Sequence, residues 1–298
     1  MRLLHVTDTH LGIDRWYRGA PRGWRRADDH LAAFRAALAP ALAEEVDLVV
    51  HTGDLFDRSR PPARAVAEAG ALLEEVARRV PVVVMPGNHD RNGLHAHLGP
   101  VPAGVTIVDR PARVDVAGLR LGMIPYLPDA TAWAAAAAAV CAGGVDLLCA
   151  HQAFDGARVP GFAFRVGAQA DTVGPAHIPE GVDLVLCGHL HTRQIVTVGE
   201  ARVVHPGSTE RAAFVERDEP KGAALWDPAG ALAWRWLDLP ARPMHLVRGA
   251  ADLDRVPPEG LVRLEGAARH PEVEREVLAR GGWVEAWAAP TPQVRLFG

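Results

Sequence analysis

The chain has 298 residues, enough for one large domain or one domain with an appendage. Hydrophobic residues make up 49% and charged residues 23%, which excludes a disordered or fibrous protein. The net charge of −4 is too small to mark a nucleic-acid binder by itself, although a local basic stripe can be masked by acidic ligands elsewhere.

No apolar run reaches the ~18 residues of a membrane span. The N-terminus enters a strand-like run directly, with no small-residue cleavage site, so a cytoplasmic protein without membrane contact is expected. Cys141, Cys149 and Cys187 lack CxxC spacing, which argues against a disulfide framework or a zinc knot. Lys221 is the only lysine, so the positive charge is almost all guanidinium.

Short apolar runs rich in Val and Leu recur at residues 3–6, 48–50, 81–85, 145–150 and 182–187, and read as strands buried on both faces. Helical patterns at 28–45 and 63–79 separate the first three, which makes the first half a β-α-β-α-β core. Residues 106–124 and 193–237 read as antiparallel hairpins, and the alanine-rich 132–140 as a helix covering a sheet. Prolines at 240 and 243 suggest a boundary, dividing the chain into 1–240 and 241–298. The second part reads as a small β-α-β unit with a helix opened by Pro271 and closed by Gly281-Gly282, and with Trp283 and Trp287 in its last strand.

The expected strands end in a recurring set of polar groups. Asp8-Thr9-His10 follows the first, Gly53-Asp54-Leu55-Phe56-Asp57 the second, and Gly87-Asn88-His89-Asp90 the third. His151 ends the next, and Gly188-His189-Leu190-His191 follows the last. Ligands collect at the carboxyl ends of strands in α/β sheets. Oxygen and imidazole donors without thiolate suit Mn, Fe or Zn rather than Mg alone. The set is too large for one tetrahedral zinc. Two ions sharing a carboxylate would use it fully and form a clamp for in-line phosphoryl chemistry.

These five motifs, in this order over roughly residues 1–210, resemble the calcineurin-like metallophosphoesterases. The resemblance implies a sandwich of two mixed β-sheets flanked by helices, with the C-terminal β-α-β unit as a capping appendage. It further implies that Asp8, His10, Asp54 and His191 hold one divalent ion, and that Asp54, Asn88, His151 and His189 hold the other. His89 would act as general acid, oriented by Asp90. Manganese is the expected metal, with iron or zinc as alternatives.

The runs Leu4 to Gly12, Gly53 to Pro62 and Pro206 to Arg211 are similar to the SbcD-type DNA repair nucleases. That likeness implies a Mn-dependent DNA exonuclease, with single-strand endonuclease activity besides. A cyclic-nucleotide or small-molecule phosphodiesterase is the alternative. The tail is shorter than in most such nucleases and shows no extension for an SMC-like ATPase, so action alone or as a homodimer is expected. Asp57 stands where some relatives carry His.

Between Arg15 and Arg26 there are five arginines and three aromatic residues but no acid. Arg15, Arg18 and Arg22 are therefore expected to bind phosphates, and Trp16 and Tyr17 to stack on unpaired bases. His51 and His205, beside ligand loops, are candidates to brace them. His30 is expected to be exposed or capping.

Overall fold

The computed structural model describes residues 1–91, 93–227 and 233–285. The chain divides into two compact units: residues 1–13 with 27–241, and residues 14–26 with 242–298.

In the first unit, one six-stranded sheet runs in the order Ala233–Asp238, Gly222–Asp227, Leu3–Val6, Leu48–Thr52, Val82–Met85, Val105–Ile107. A second six-stranded sheet runs Gln194–Val198, Ala201–His205, Leu184–Gly188, Leu147–His151, Leu119–Ile124, Ala112–Val116. Leu3, Leu48, Val50, Val83 and Met85 of the first sheet pack against Leu121, Met123, Leu147, Cys149 and Leu186 of the second. The opposite face of the first sheet, with Leu4, Val49 and Val84, meets Phe34, Leu72, Leu73 and Val76 from the helices and Leu38 from the junction between two of them. Trp133 and Ala137 of the helix Ala130–Cys141 cover the outer face of the second sheet at Leu148, Val185 and Val203. The expected sandwich is the one found.

The local causes are plain. The helix Ala63–Ala77 buries Ala65, Ala69, Leu72, Leu73 and Val76, a stripe at helical spacing. Asp129 caps Ala130–Cys141 by accepting the Ala132 N–H at 2.7 Å. The single helix expected over 28–45 is instead two, Arg26–Ala37 and Ala39–Leu42. Pro40 is the reason: it has no N–H to continue the first helix, yet it fits the opening turn of the second.

Residues 14–26 do not form a free loop. Tyr17–Arg18 is a strand that pairs antiparallel with Trp283–Glu285, with Val284 opposite Arg18. It completes a four-stranded sheet in the second unit with Met244–Val247, Leu261–Leu264 and Trp283–Glu285. Val247, Val262, Leu264, Val277 and Val284 form that unit's core, with Val277 supplied by the helix Pro271–Ala279. Trp24 packs edge-on against Trp283 at 4.8 Å, and the Arg242 guanidinium lies 4.6 Å from the Trp283 ring centre. Trp287 lies outside the described residues.

Candidate metal centre

The strands Leu3–Val6, Leu48–Thr52 and Val82–Met85 run parallel, as do Leu147–His151 and Leu184–Gly188, so the expected ligands leave from carboxyl ends. Main-chain bonds zip the first two loops together: Asp8 N to Gly53 O (3.0 Å), His10 N to Asp54 O (3.0 Å) and Leu11 N to Leu55 O (2.9 Å). The two sheets are tied at the same rim. His151 Nδ1 donates to Thr52 O at 2.7 Å, and the His189 N–H donates to the Asp8 carboxylate at 3.1 Å. Thr9, between two candidate ligands, donates its hydroxyl to Leu55 O (3.0 Å) and lies 3.2 Å from His51 Nε2.

Asp8, His10, Asp54 and His189 all adopt positive φ, between 45° and 80°. Such backbone is costly for residues with a Cβ and concentrates at functional sites, where the surrounding bonds enforce it. Two glycines make room for the side chains. A Cβ on Gly53 would overlap His151 Nδ1, and one on Gly87 would overlap Asp54 Oδ1. These glycines therefore admit the side chains of His151 and Asp54 themselves.

The donor atoms converge. One donor atom each of Asp8, His10 and His191 lies within 4.8 Å of the others, and the same holds for Asp8, Asp54 and His151, and for His10, Asp54 and His89. His10 Nε2 and His191 Nε2 face each other at 2.9 Å. Asn88 Oδ1 is 3.1 Å from His151 Nε2 and 2.9 Å from His189 Nδ1. Asp54 Oδ2 lies 3.4 Å from His151 Nε2 and 3.7 Å from His10 Nε2.

Burial disfavours charge on His151, but Asp54 and Asp8 outweigh it and push its pKa up to about 9. Burial, and then His151, push His189 down to about 3. Burial likewise holds His10 well below the usual histidine value, with His191 adding to the effect. Burial opposes ionisation of Asp54, but His151 overrides it and holds the carboxyl well below the usual range.

The donor set fits a pair of divalent cations. His151 Nδ1 is committed to Thr52 O and His191 Nδ1 to Glu216, so each ring aims Nε2 at carboxylate or imidazole acceptors. Acceptors facing acceptors in a buried site need a cation between them, and without a metal a proton on His151 takes that part.

Four sequence expectations change. Asp90 does not orient the His89 ring. Its buried carboxylate accepts the N–H groups of Gly87 (2.9 Å), Leu55 (3.1 Å) and Phe56 (2.9 Å). Burial, and then Asp54, raise its pKa to about 7. His89 Nδ1 instead donates to the main-chain oxygen of Asp57 at 2.6 Å, which gives Asp57 a role through its backbone. Tyr17 is buried, so its ring offers no stacking face. Arg15 and Arg18 pair with Glu285 (3.6 Å) and Glu274 (2.7 Å), whereas Trp16 is 69% exposed and Arg22 is also exposed. His30 is buried rather than exposed, and its Nδ1 lies 3.1 Å from Thr9 O.

Glu216 and Tyr126 at the same rim lie outside the motifs read from the sequence. Glu216, in the short turn Phe214–Glu216, binds His191 Nδ1 at 2.9 Å. Behind it stand Lys221 and Ser208. The lone lysine was the available signal. Tyr126 stacks on the His189 ring at 5.6 Å.

A family model for calcineurin-like phosphoesterases matches residues 1–193. The chain is 31% identical to the DNA double-strand break repair protein Mre11 of Halobacterium salinarum, over 74% of this chain and 54% of that protein. It is 30% identical to the SbcD component of the nuclease SbcCD of Rhodobacter capsulatus, over 90% of this chain and 76% of that protein. Similarity to Haloferax volcanii Mre11 is 28% over 93% of this chain and 60% of that protein. The chain thus spans little more than half the length of the two haloarchaeal relatives.

Proposed function

The chain belongs to the calcineurin-like phosphoesterase family, and from that membership we propose a Mn²⁺-dependent DNA nuclease that hydrolyses phosphodiester bonds in DNA repair. Exonuclease action, with some endonuclease action on single strands, is the proposed mode. The observation that carries this reading is the convergence of Asp8, His10, Asp54, Asn88, His151, His189 and His191 on one rim beside His89. Supporting the choice of DNA is the similarity to relatives named as a repair protein and a nuclease component.

Asp8, His10 and His191 would hold one ion, Asn88, His151 and His189 the other, and Asp54 would face both. Two such ions supply Lewis acidity toward the phosphoryl oxygens and acidify water toward neutral pKa. The chain's own residues do the rest. His10 and His89 meet edge to face at 4.8 Å, which sets the His89 ring beside the ligands. Because Nδ1–H is committed to Asp57 O, Nε2 is the nitrogen that faces a substrate. The protonated ring then donates from Nε2 to the leaving alkoxide, a contribution of roughly 10²–10⁴-fold in comparable general acids. Asp90 keeps the loops bearing Asp54 and Asn88 in register. Exposed Trp16 and Arg22 are the proposed DNA contacts.

The test is a Mn²⁺ assay comparing linear duplex DNA, single-stranded DNA, cyclic nucleotides and an aryl phosphodiester. Cleavage of DNA together with the aryl ester is expected. Turnover of cyclic nucleotides without DNA cleavage would transfer the site to small phosphodiesters, and inactivity on every substrate would overturn the reading.

A further inference from the structure

Lys221 is the only lysine among 32 basic residues, and it is buried. Its Nζ donates to Glu216 Oε2 at 2.5 Å and Ser208 Oγ at 2.7 Å, and reaches the main-chain oxygen of His191 at 3.4 Å. Three acceptors around one nitrogen suit a compact ammonium with three donors, which the planar guanidinium fork cannot reproduce in the same space. Glu216 is equally committed. Oε1 holds His191 Nδ1, while Oε2 takes Lys221 and lies 3.3 Å from Ser208 Oγ. A buried ion pair adds little net stability over apolar packing, so its presence calls for another role.

We propose that Lys221 and Glu216 are a positioning pair for the ion held by Asp8, His10 and His191. Lys221 locks the Glu216 carboxylate, and Ser208 Oγ steadies Lys221 by accepting from it while donating to the main-chain oxygen of Glu210 at 2.9 Å. The carboxylate fixes His191 with Nδ1–H inward, so that the Nε2 lone pair is aimed at His10 and Asp8. Among the described residues the pair makes no hydrogen bond to Asn88, His151 or His189: His151 is held by Thr52 O, and His189 stacks on Tyr126. Its effect is therefore selective for one of two ions. This rests on the two-ion reading of the rim.

The experiment is Mn²⁺ titration followed by electron paramagnetic resonance, on wild type, Glu216→Gln, Lys221→Met and Ser208→Ala. Unfolding of each metal-free protein is measured alongside. Removing a partner of a metal-bound histidine typically weakens metal affinity by about 10–100-fold. Glu216→Gln, which keeps the side chain's shape, and Lys221→Met should each lose that much for one ion. The other ion should stay within about threefold, and Ser208→Ala should show a smaller loss for the same ion. Wild-type affinity for both ions in folded Glu216→Gln would overturn the inference. So would equal weakening of both ions in step with lost metal-free stability. Fewer than two ions on the wild-type protein would overturn the two-ion reading itself, and the inference with it.

Discussion

Asp90 separates two accounts of the rim. If it served His89, Asp90→Asn would cost turnover alone. The geometry gives it a different task, because its carboxylate holds Leu55 and Phe56, which directly follow Asp54, and Gly87, which directly precedes Asn88. Asp90→Ala leaves three buried N–H groups without that acceptor, at about 1–3 kcal/mol each before relaxation. Water entering the gap recovers part of this, so a loss of about 3–5 kcal/mol is expected, a large share of a typical 5–15 kcal/mol. Asn keeps one acceptor but turns an NH₂ toward a donor, for a loss of about 2 kcal/mol or more. Urea unfolding at pH 6 and pH 8 brackets the value near 7 to which burial, and then Asp54, raise this carboxyl. A raised acid favours its neutral form in the fold, so wild-type stability falls as pH rises through 7, and the loss in Asp90→Asn should be smaller at pH 8 than at pH 6. Metal affinity should fall with stability in both variants. Asp90→Asn with wild-type stability and full metal content, but turnover as low as a His89 variant, would refute this reasoning and restore the link to His89.

The convergence of the candidate side chains on one rim is legible in the sequence because each of its motifs is local. A strand-like run, a glycine and a polar residue sit within a few positions of each other, and the strand order of an α/β sheet brings the carboxyl ends together. The bracing behind that rim is not local. Glu216 reaches His191 from a turn 25 positions further along, and no periodicity marks it. Asp90 looked like a partner of its neighbour His89, but a carboxylate beside consecutive free N–H groups satisfies those first. Residues 14–26 misled for a related reason. Interspersed arginine and aromatic residues look the same in a substrate loop and in an edge strand with one buried face. What decides between them is the partner strand Trp283–Glu285, at the other end of the sequence. Pro40, by contrast, was a readable break inside an otherwise helical pattern.

Asp54→Ala should lose both ions together, since its carboxylate faces His10 and His151 alike; wild-type metal content by elemental analysis would contradict this. His89→Gln should keep both ions and its unfolding midpoint while losing roughly 10²–10⁴-fold in turnover. Metal uptake should strengthen as pH rises toward 9, because His151 holds a proton below that value in the metal-free site and must release it to bind. Affinity independent of pH from 6 to 9, with no proton release in a weakly buffered titration, would count against His151 as a ligand. The last prediction divides the arginine-aromatic segment by what each side chain touches. Arg18 is a partly exposed partner of Glu274, and such pairs contribute only ~0–1 kcal/mol, so Arg18→Ala should leave stability and DNA cleavage nearly unchanged. Tyr17 is buried, and Tyr17→Ala should cost about 3–5 kcal/mol, by analogy with other large aromatic truncations. Trp16→Ala combined with Arg22→Ala should weaken DNA cleavage, spare the aryl diester, and lower the log–log salt slope on duplex DNA by ~0.9 for the one phosphate contact removed. Equal losses of DNA cleavage from Arg18→Ala and from the Trp16–Arg22 pair would mean that the Glu274 bond opens to substrate, and the whole segment would then act as one interface.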